Sequence, residues 1–432
     1  MPSVTIYTPK ILITAGESVI IMRRMLSQIG RHMYHPKNIN YIQDCERTAY
    51  IAVSIIHQGH LEKFMPVKEV FLLSLFSCIG SYRFMQQDSE MSKMDAAERD
   101  YTYSYYFLKY MSPFGKNIRF LQFYTSSDNQ GTLQTSDYNE YARLIFFAVK
   151  AAAYLKSKNY EYTLHEIEAL DRTERKPDYV KLFFVADRRR NIVKNLRDGS
   201  FLESVDEWCN ELSFNDEDTF KLIKMLIYIM DFKSTATVTH TINTACYASV
   251  LGELMHCTKA ETDELYTAGI LHDIGKMAIS SCILESPAKL SAADMAVMRT
   301  HVFEGERMIH GVVPQKLERI SSRHHEKLDG SGYPRKLTEK QLSLQDRILA
   351  ISDITSALTD TRSYKGAFSR EKTIKILRKM TKSGLLDSAV TERIINKFDL
   401  IKTKVDTLRT PMAAEFGRIS AEFDEAEEIE LI

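Results

Sequence analysis

The chain reads as all-α, and three observations point that way. Apolar residues recur with helical period, as in Phe220-Lys221-Leu222-Ile223-Lys224-Met225-Leu226-Ile227-Tyr228. Strand-like alternation is scarce by comparison. Only ten prolines are spread over 432 residues, which leaves long stretches free to coil. At this length two domains are expected rather than one.

Taken in order, residues 1–195 are expected to form a first helical domain. Its apolar runs, Val70-Phe71-Leu72-Leu73-Ser74-Leu75-Phe76 and Leu144-Ile145-Phe146-Phe147-Ala148-Val149, suit buried helices and are far too short to cross a bilayer. Residues 196–214, opening with Asp198-Gly199-Ser200, read as a linker. Residues 215–409 form the second helical domain. The tail, residues 410–432, is acidic and lacks a companion apolar face, so a frayed helix or coil is expected there.

The two domains share an internal repeat. At an offset of about 195 residues, Leu271-His272-Asp273-Ile274-Gly275-Lys276 falls on Phe76-Ser77-Cys78-Ile79-Gly80-Ser81, and His240 falls on Cys45. At about 204, Arg347-Ile348-Leu349-Ala350-Ile351-Ser352-Asp353 falls on Arg143-Leu144-Ile145-Phe146-Phe147-Ala148-Val149. The first copy keeps the Ile-Gly turn and the small-residue helices but not the histidines and aspartates.

Lys plus Arg equals Asp plus Glu at 57 each, so bulk charge supports neither a nucleic-acid polymer nor a membrane as partner. No basic segment followed by an apolar one opens the sequence. Six cysteines show no paired spacing, which suggests reduced thiols and a cytoplasmic protein.

The informative residues lie between 240 and 353. His272-Asp273-Ile274-Gly275-Lys276 is one block; His324-His325-Glu326 followed by Asp329-Gly330-Ser331-Gly332-Tyr333-Pro334 is another; His240, His301 and Asp353 stand alone. Imidazole and carboxylate without thiolate suit iron or manganese better than structural zinc. A carboxylate beside an imidazole, as in Asp273 beside His272, is able to bridge two ions about 3.5–4 Å apart. Lys276, read as one helical turn beyond His272 on the same face, would meet a phosphate or its developing charge. Gly330, Gly332 and Pro334 mark a turn that would display Tyr333.

These blocks and their spacing resemble the HD-GYP family of metal-dependent phosphohydrolases over residues 215–400. The resemblance implies a cyclic-dinucleotide phosphodiesterase. One metal would be held by His240, His272, Asp273 and Asp353. Asp273 would bridge to a second, held by His301, His324 and His325. A water activated between them would cut c-di-GMP or 3′,3′-cGAMP to a linear 5′-phosphorylated dinucleotide, with Asp273 and Lys276 as the catalytic pair. Lys276, Arg362, Lys365 and Tyr333 would contact substrate. The resemblance also makes the first domain a degenerate HD domain with a regulatory or dimerisation role. It implies a homodimer, and a diguanylate-cyclase-type partner docked on the Gly-Tyr-Pro loop. A phosphomonoesterase on the same metals and a non-catalytic cyclic-dinucleotide receptor stay open as alternatives.

Three positions depart from the family. Ala236 stands where three-metal members carry glutamate, so two ions are expected. Ser356 replaces an aspartate, and Asn243 an arginine.

Overall fold

A computed structural model describes residues 8–31, 41–77, 79–84, 103–109, 112–113, 118, 138–171, 176–230, 235–286, 288–360, 367–411 and 414. Among them the structure is helical, with no strand and a single isolated bridge between Asp329 and Thr338. The all-α expectation is met. No helix of the described residues is long and apolar enough to cross a membrane.

The chain divides into two compact units. One comprises residues 29–225 with 429–432, the other residues 1–28 with 226–428. This differs from the sequence expectation at two places. Residues 8–28, expected in the first domain, belong with the second half of the chain. There the backbone N–H of Lys10 donates to Asp263 (2.7 Å) and that of Leu12 to Thr267 Oγ1 (2.9 Å). On helix α1 (Ala15–Arg31), the Arg24 guanidinium donates to the carbonyls of Met308 (3.1 Å) and His310 (2.8 Å). It thereby satisfies carbonyls that a helix leaves orphaned at its C-terminus.

The middle unit is built on α2 (Tyr41–Gly59), which packs against α3 (Val67–Phe76), α4 (Tyr138–Ser157) and α5 (Tyr179–Arg190). Phe71, Phe76, Phe147, Tyr179 and Phe183 fill its core. Residues 196–214, expected as a linker, are instead ordered on this unit. Helix α6 (Ile192–Asp198) ends at Gly199 with positive φ, and α7 (Phe201–Glu211) begins two residues later. Phe201, Val205 and Cys209 recur every fourth residue and are buried, while Trp208 stacks on Tyr50 (5.8 Å). The short apolar period was present in the sequence but hidden among acidic residues. Helix α8 (Asp216–Ile229) carries the chain across the division at 225/226. Cys45 is disulfide-bonded, which corrects the expectation of six reduced thiols; Cys78 lies outside the described residues.

The other unit centres on α9 (Thr235–Leu254), packed against α10 (Lys259–Leu271) and, further on, α13 (Leu344–Thr359); α11 (His301–Ile309) and α12 (Gln315–Ser321) lie between these last two in sequence. At the repeat offsets α2 falls on α9, α3 on α10 and α4 on α13, and the same pairs of helices are in contact in each unit. Capping boxes fix the starts of two of these helices, Thr258 with Glu261 for α10 and Ser343 with Asp346 for α13.

Helix α10 stops at Leu271 and the chain tightens into a 3-10 turn, Ile274–Ala278, against α11. Gly275 makes that approach: a Cβ there would lie 1.9 Å from the His301 carbonyl oxygen and 2.3 Å from the Gly305 nitrogen. Neither backbone atom can rotate away. Gly275→Ala is therefore expected to cost about 3 kcal/mol or more, the upper end for overpacking. A urea midpoint within error of the parent protein would refute this reading of the turn.

Candidate metal centre

The helix ends and turns bring the seven expected ligands together. His240 comes from the body of α9, His272 and Asp273 from the end of α10, and His301 from the first turn of α11. His324 and His325 follow α12, and Asp353 lies within α13. All but His325 are buried, and its side chain is only 25% exposed.

Asp273 stands at the centre. Its Oδ2 faces His240 Nε2 (3.7 Å) and His272 Nε2 (3.1 Å), and its Oδ1 faces His301 Nε2 (3.4 Å) and His324 Nε2 (3.9 Å). Asp353 is divided in the same way. Its Oδ1 lies 3.0 Å from His240 Nε2 and its Oδ2 3.5 Å from His325 Nδ1. The donor atoms fall into two groups, His240-His272-Asp273 and His301-His324-His325, each close enough to surround one ion.

Three imidazoles are oriented by one device. His272, His301 and His324 each donate Nδ1–H to a backbone carbonyl three residues earlier, those of Gly269 (2.7 Å), Met298 (2.6 Å) and Ser321 (2.7 Å). A carbonyl only accepts, so the proton sits on Nδ1 and the Nε2 lone pair is directed inward. Within this cage His272 Nε2 and Asp273 Oδ1 are buried without a hydrogen-bond partner. Burying such groups unpaired is costly. Divalent ions between them would satisfy both, so the donor set fits the metals expected of it.

The electrostatics point the same way. Burial opposes ionisation of Asp273, but the adjacent His272 and the Lys276 ammonium outweigh it and hold the carboxyl well below its usual range. Asp353 is likewise held down against burial, chiefly by its hydrogen bond with His240. Burial lowers His301, takes His324 well below its usual value with help from His325, and pushes His325 down to about 3. For His240 burial is overcome by Asp353 and Asp360, and the value rises.

A pH dependence follows for the chelated, metal-free protein. Unfolded imidazoles titrate near 6.5. The folded chain keeps His301, His324 and His325 neutral below that, so the unfolded state binds more protons there. Their contribution is complete above about 6.5 and is lost as pH falls towards 3, with His240 alone acting in the opposite sense. Urea midpoints should decline steadily across that window, and a flat profile would contradict it.

The other expected site residues fare differently. Lys276 does not continue the helix of His272. It lies in the 3-10 turn, with its ammonium bonded to Asp273 Oδ2. Tyr333 is not displayed at a loop tip but lies against His325 (centroids 4.7 Å apart, planes tilted by 35°), with the Arg299 guanidinium 5.1 Å from its ring centroid. Glu326 fixes that loop by accepting from the backbone N–H groups of Arg335 (2.7 Å) and Leu337 (2.9 Å). Gly332 lies so close beneath it that a Cβ would meet Glu326 Cα at 2.4 Å. Arg362 and Lys365 lie outside the described residues, as does the side chain of Ala236. Arg299 and Asp360 were missed. Asp360 had a signal, being a carboxylate one helical turn beyond Ser356.

The family model of the HD domain matches residues 224–390. Residues 224–390 thus resemble an HD domain. Over 150 residues, 34% of this chain and 33% of the relative, the region is 36% identical to 3′3′-cGAMP-specific phosphodiesterase 3 of Vibrio cholerae. It is 32% identical over 180 residues to 3′3′-cGAMP-specific phosphodiesterase 1 of the same organism, covering 41% of this chain and 42% of that one. A cyclic di-GMP phosphodiesterase of Thermotoga maritima is 29% identical over 181 residues, 41% of this chain and 49% of the relative. The chain thus spans about a third to a half of the length of these relatives. A crystal structure of the V. cholerae phosphodiesterase V-cGAP3 has a similar fold, with TM-score 0.54 at 17% identity over 90% of this chain and 98% of that one.

Proposed function

We propose that the HD domain hydrolyses a 3′,5′-cyclic dinucleotide, c-di-GMP or 3′,3′-cGAMP, to the linear 5′-phosphorylated dinucleotide. The observation that carries this is the division of Asp273 between two imidazole groups, with Asp353 divided in parallel. One metal would be held by His240, His272, Asp273 and Asp353, and a second by Asp273, His301, His324 and His325. Iron or manganese suits a donor set of imidazole and carboxylate without thiolate. When bound, the pair supplies the positive charge that activates water and neutralises a phosphodiester.

The protein's own groups do the rest. Buried carbonyl-anchored imidazoles hold the donors in place without reorganisation. Lys276 offsets the charge of Asp273 and offers its remaining N–H groups to a phosphate. Tyr333, packed beside His325, would contact the substrate. Arg362 and Lys365 would add phosphate contacts. The printed names of the relatives support the substrate class. The middle unit, with Cys45, Ser77 and Val149 at the ligand positions, is read as a degenerate HD domain that binds no catalytic metal and serves regulation or dimerisation. The loop around Tyr333 is the surface offered to a diguanylate-cyclase-type partner.

The test is turnover of a panel of cyclic dinucleotides and of phosphate monoesters by the full-length chain loaded with iron or manganese. Cleavage of a cyclic dinucleotide supports the proposal. Turnover of monoesters alone, or binding without cleavage, overturns it.

A further inference from the structure

His240 differs from the three imidazoles anchored on carbonyls. It lies inside α9, where the preceding carbonyls are engaged in the helix, so a side chain must orient its ring. Its Nδ1 meets Ser356 Oγ at 3.0 Å, and Ser356 Oγ lies 3.0 Å from Asp360 Oδ2. The other oxygen of Asp360 accepts from Asn243 Nδ2, one turn beyond His240. The Asp360 side chain is only 8% exposed.

We propose that Asp360 is a positioning residue that, through Ser356, holds the His240 ring with its Nε2 lone pair facing the metal centre. Proton accounting carries the argument. Ser356 has one hydroxyl proton and, besides the His240 ring nitrogen itself, two oxygen acceptors in reach, the Asp360 carboxylate at 3.0 Å and the His240 carbonyl at 3.3 Å. The carboxylate is closer and charged, so it takes the proton. The Ser356 lone pairs then accept from His240 Nδ1–H, which leaves Nε2 bare towards Asp353 Oδ1 (3.0 Å) and Asp273 Oδ2 (3.7 Å). Ser356 and Asn243 are two of the departures from the family pattern. Asp360 restores, one helical turn later, the carboxylate missing at 356, and Asn243 pairs with it. This inference rests on the site being a two-metal centre.

Metal affinity in the full-length chain, titrated with manganese against a chelator, tests it. Loss of a carboxylate that orients a ligand imidazole typically weakens metal binding about 10- to 100-fold. Asp360→Ala should show that loss for one of two ions and leave the other unchanged. Ser356→Ala, a smaller change, should show the same selective loss if Asp360→Ala fails to fold. The double variant Ser356→Asp/Asp360→Ala returns a carboxylate to reach of Nδ1 and should recover the affinity, which a merely structural role would not produce. Parental affinity for both ions in Ser356→Ala and Asp360→Ala, or equal loss of both without rescue, overturns the inference. Parent protein that holds two ions but cleaves no cyclic dinucleotide would overturn the substrate reading alone.

Discussion

Asp273→Ala is expected to strip both metal ions from the protein and reduce cyclic-dinucleotide cleavage to background. Among the described residues no other side chain offers one oxygen to His240 and His272 and the other to His301 and His324. Removing it leaves four imidazoles without their central counter-charge and frees the Lys276 ammonium from its partner. His272→Ala should be milder in stoichiometry, since the group of His301, His324 and His325 keeps all its members. The contrast is the measurement: metal equivalents per chain in the two variants, alongside far-UV circular dichroism to show that each stays helical. Two equivalents retained by Asp273→Ala would remove the bridging role.

The second large effect concerns the product. By the family resemblance Ala236 stands where three-metal members carry glutamate, and a methyl group cannot coordinate an ion. The first cut of a cyclic dinucleotide places a diester in the site. The second requires the linear product to rebind with an added terminal phosphate, whose charge this donor set does not offset. Linear dinucleotide should therefore accumulate. Mononucleotides should appear at least about tenfold more slowly, the factor that ~1.4 kcal/mol of uncompensated charge imposes on a barrier. Chromatography of a time course decides it, and stoichiometric mononucleotide release at the rate of the first cut would refute the argument.

The sequence disclosed the site better than it disclosed the framework. His240, His272, Asp273, His301, His324, His325 and Asp353 were legible because metal chemistry restricts residue types and the blocks are short. The helical class was legible from period alone. What escaped depends on distant partners. Nothing local in residues 8–28 signals that Lys10 and Leu12 meet Asp263 and Thr267. Phe201, Val205 and Cys209 look like linker until Tyr50 is known to lie against Trp208. Lys276 was placed on a continuing helix because sequence period does not reveal where Gly275 forces the tighter turn. Tyr333 reads as a displayed tip until Glu326 is seen to tie its loop down onto His325.

The placement of residues 8–28 has a consequence for biosynthesis. Arg24 caps carbonyls that lie 284 and 286 residues further along the chain. At ordinary rates of translation the ribosome needs on the order of tens of seconds to make that stretch. Throughout that time Arg24 lacks those carbonyls, while the stretch made meanwhile includes residues 29–225 of the middle unit. Closing so long a loop costs entropy that only the finished second half repays. Completion of the unit that carries the metal centre is thus tied to completion of the chain. A nascent protein cut short before α11 offers Asp263 and Thr267 to Lys10 and Leu12, but lacks the carbonyls that Arg24 caps and also His301, His324, His325 and Asp353.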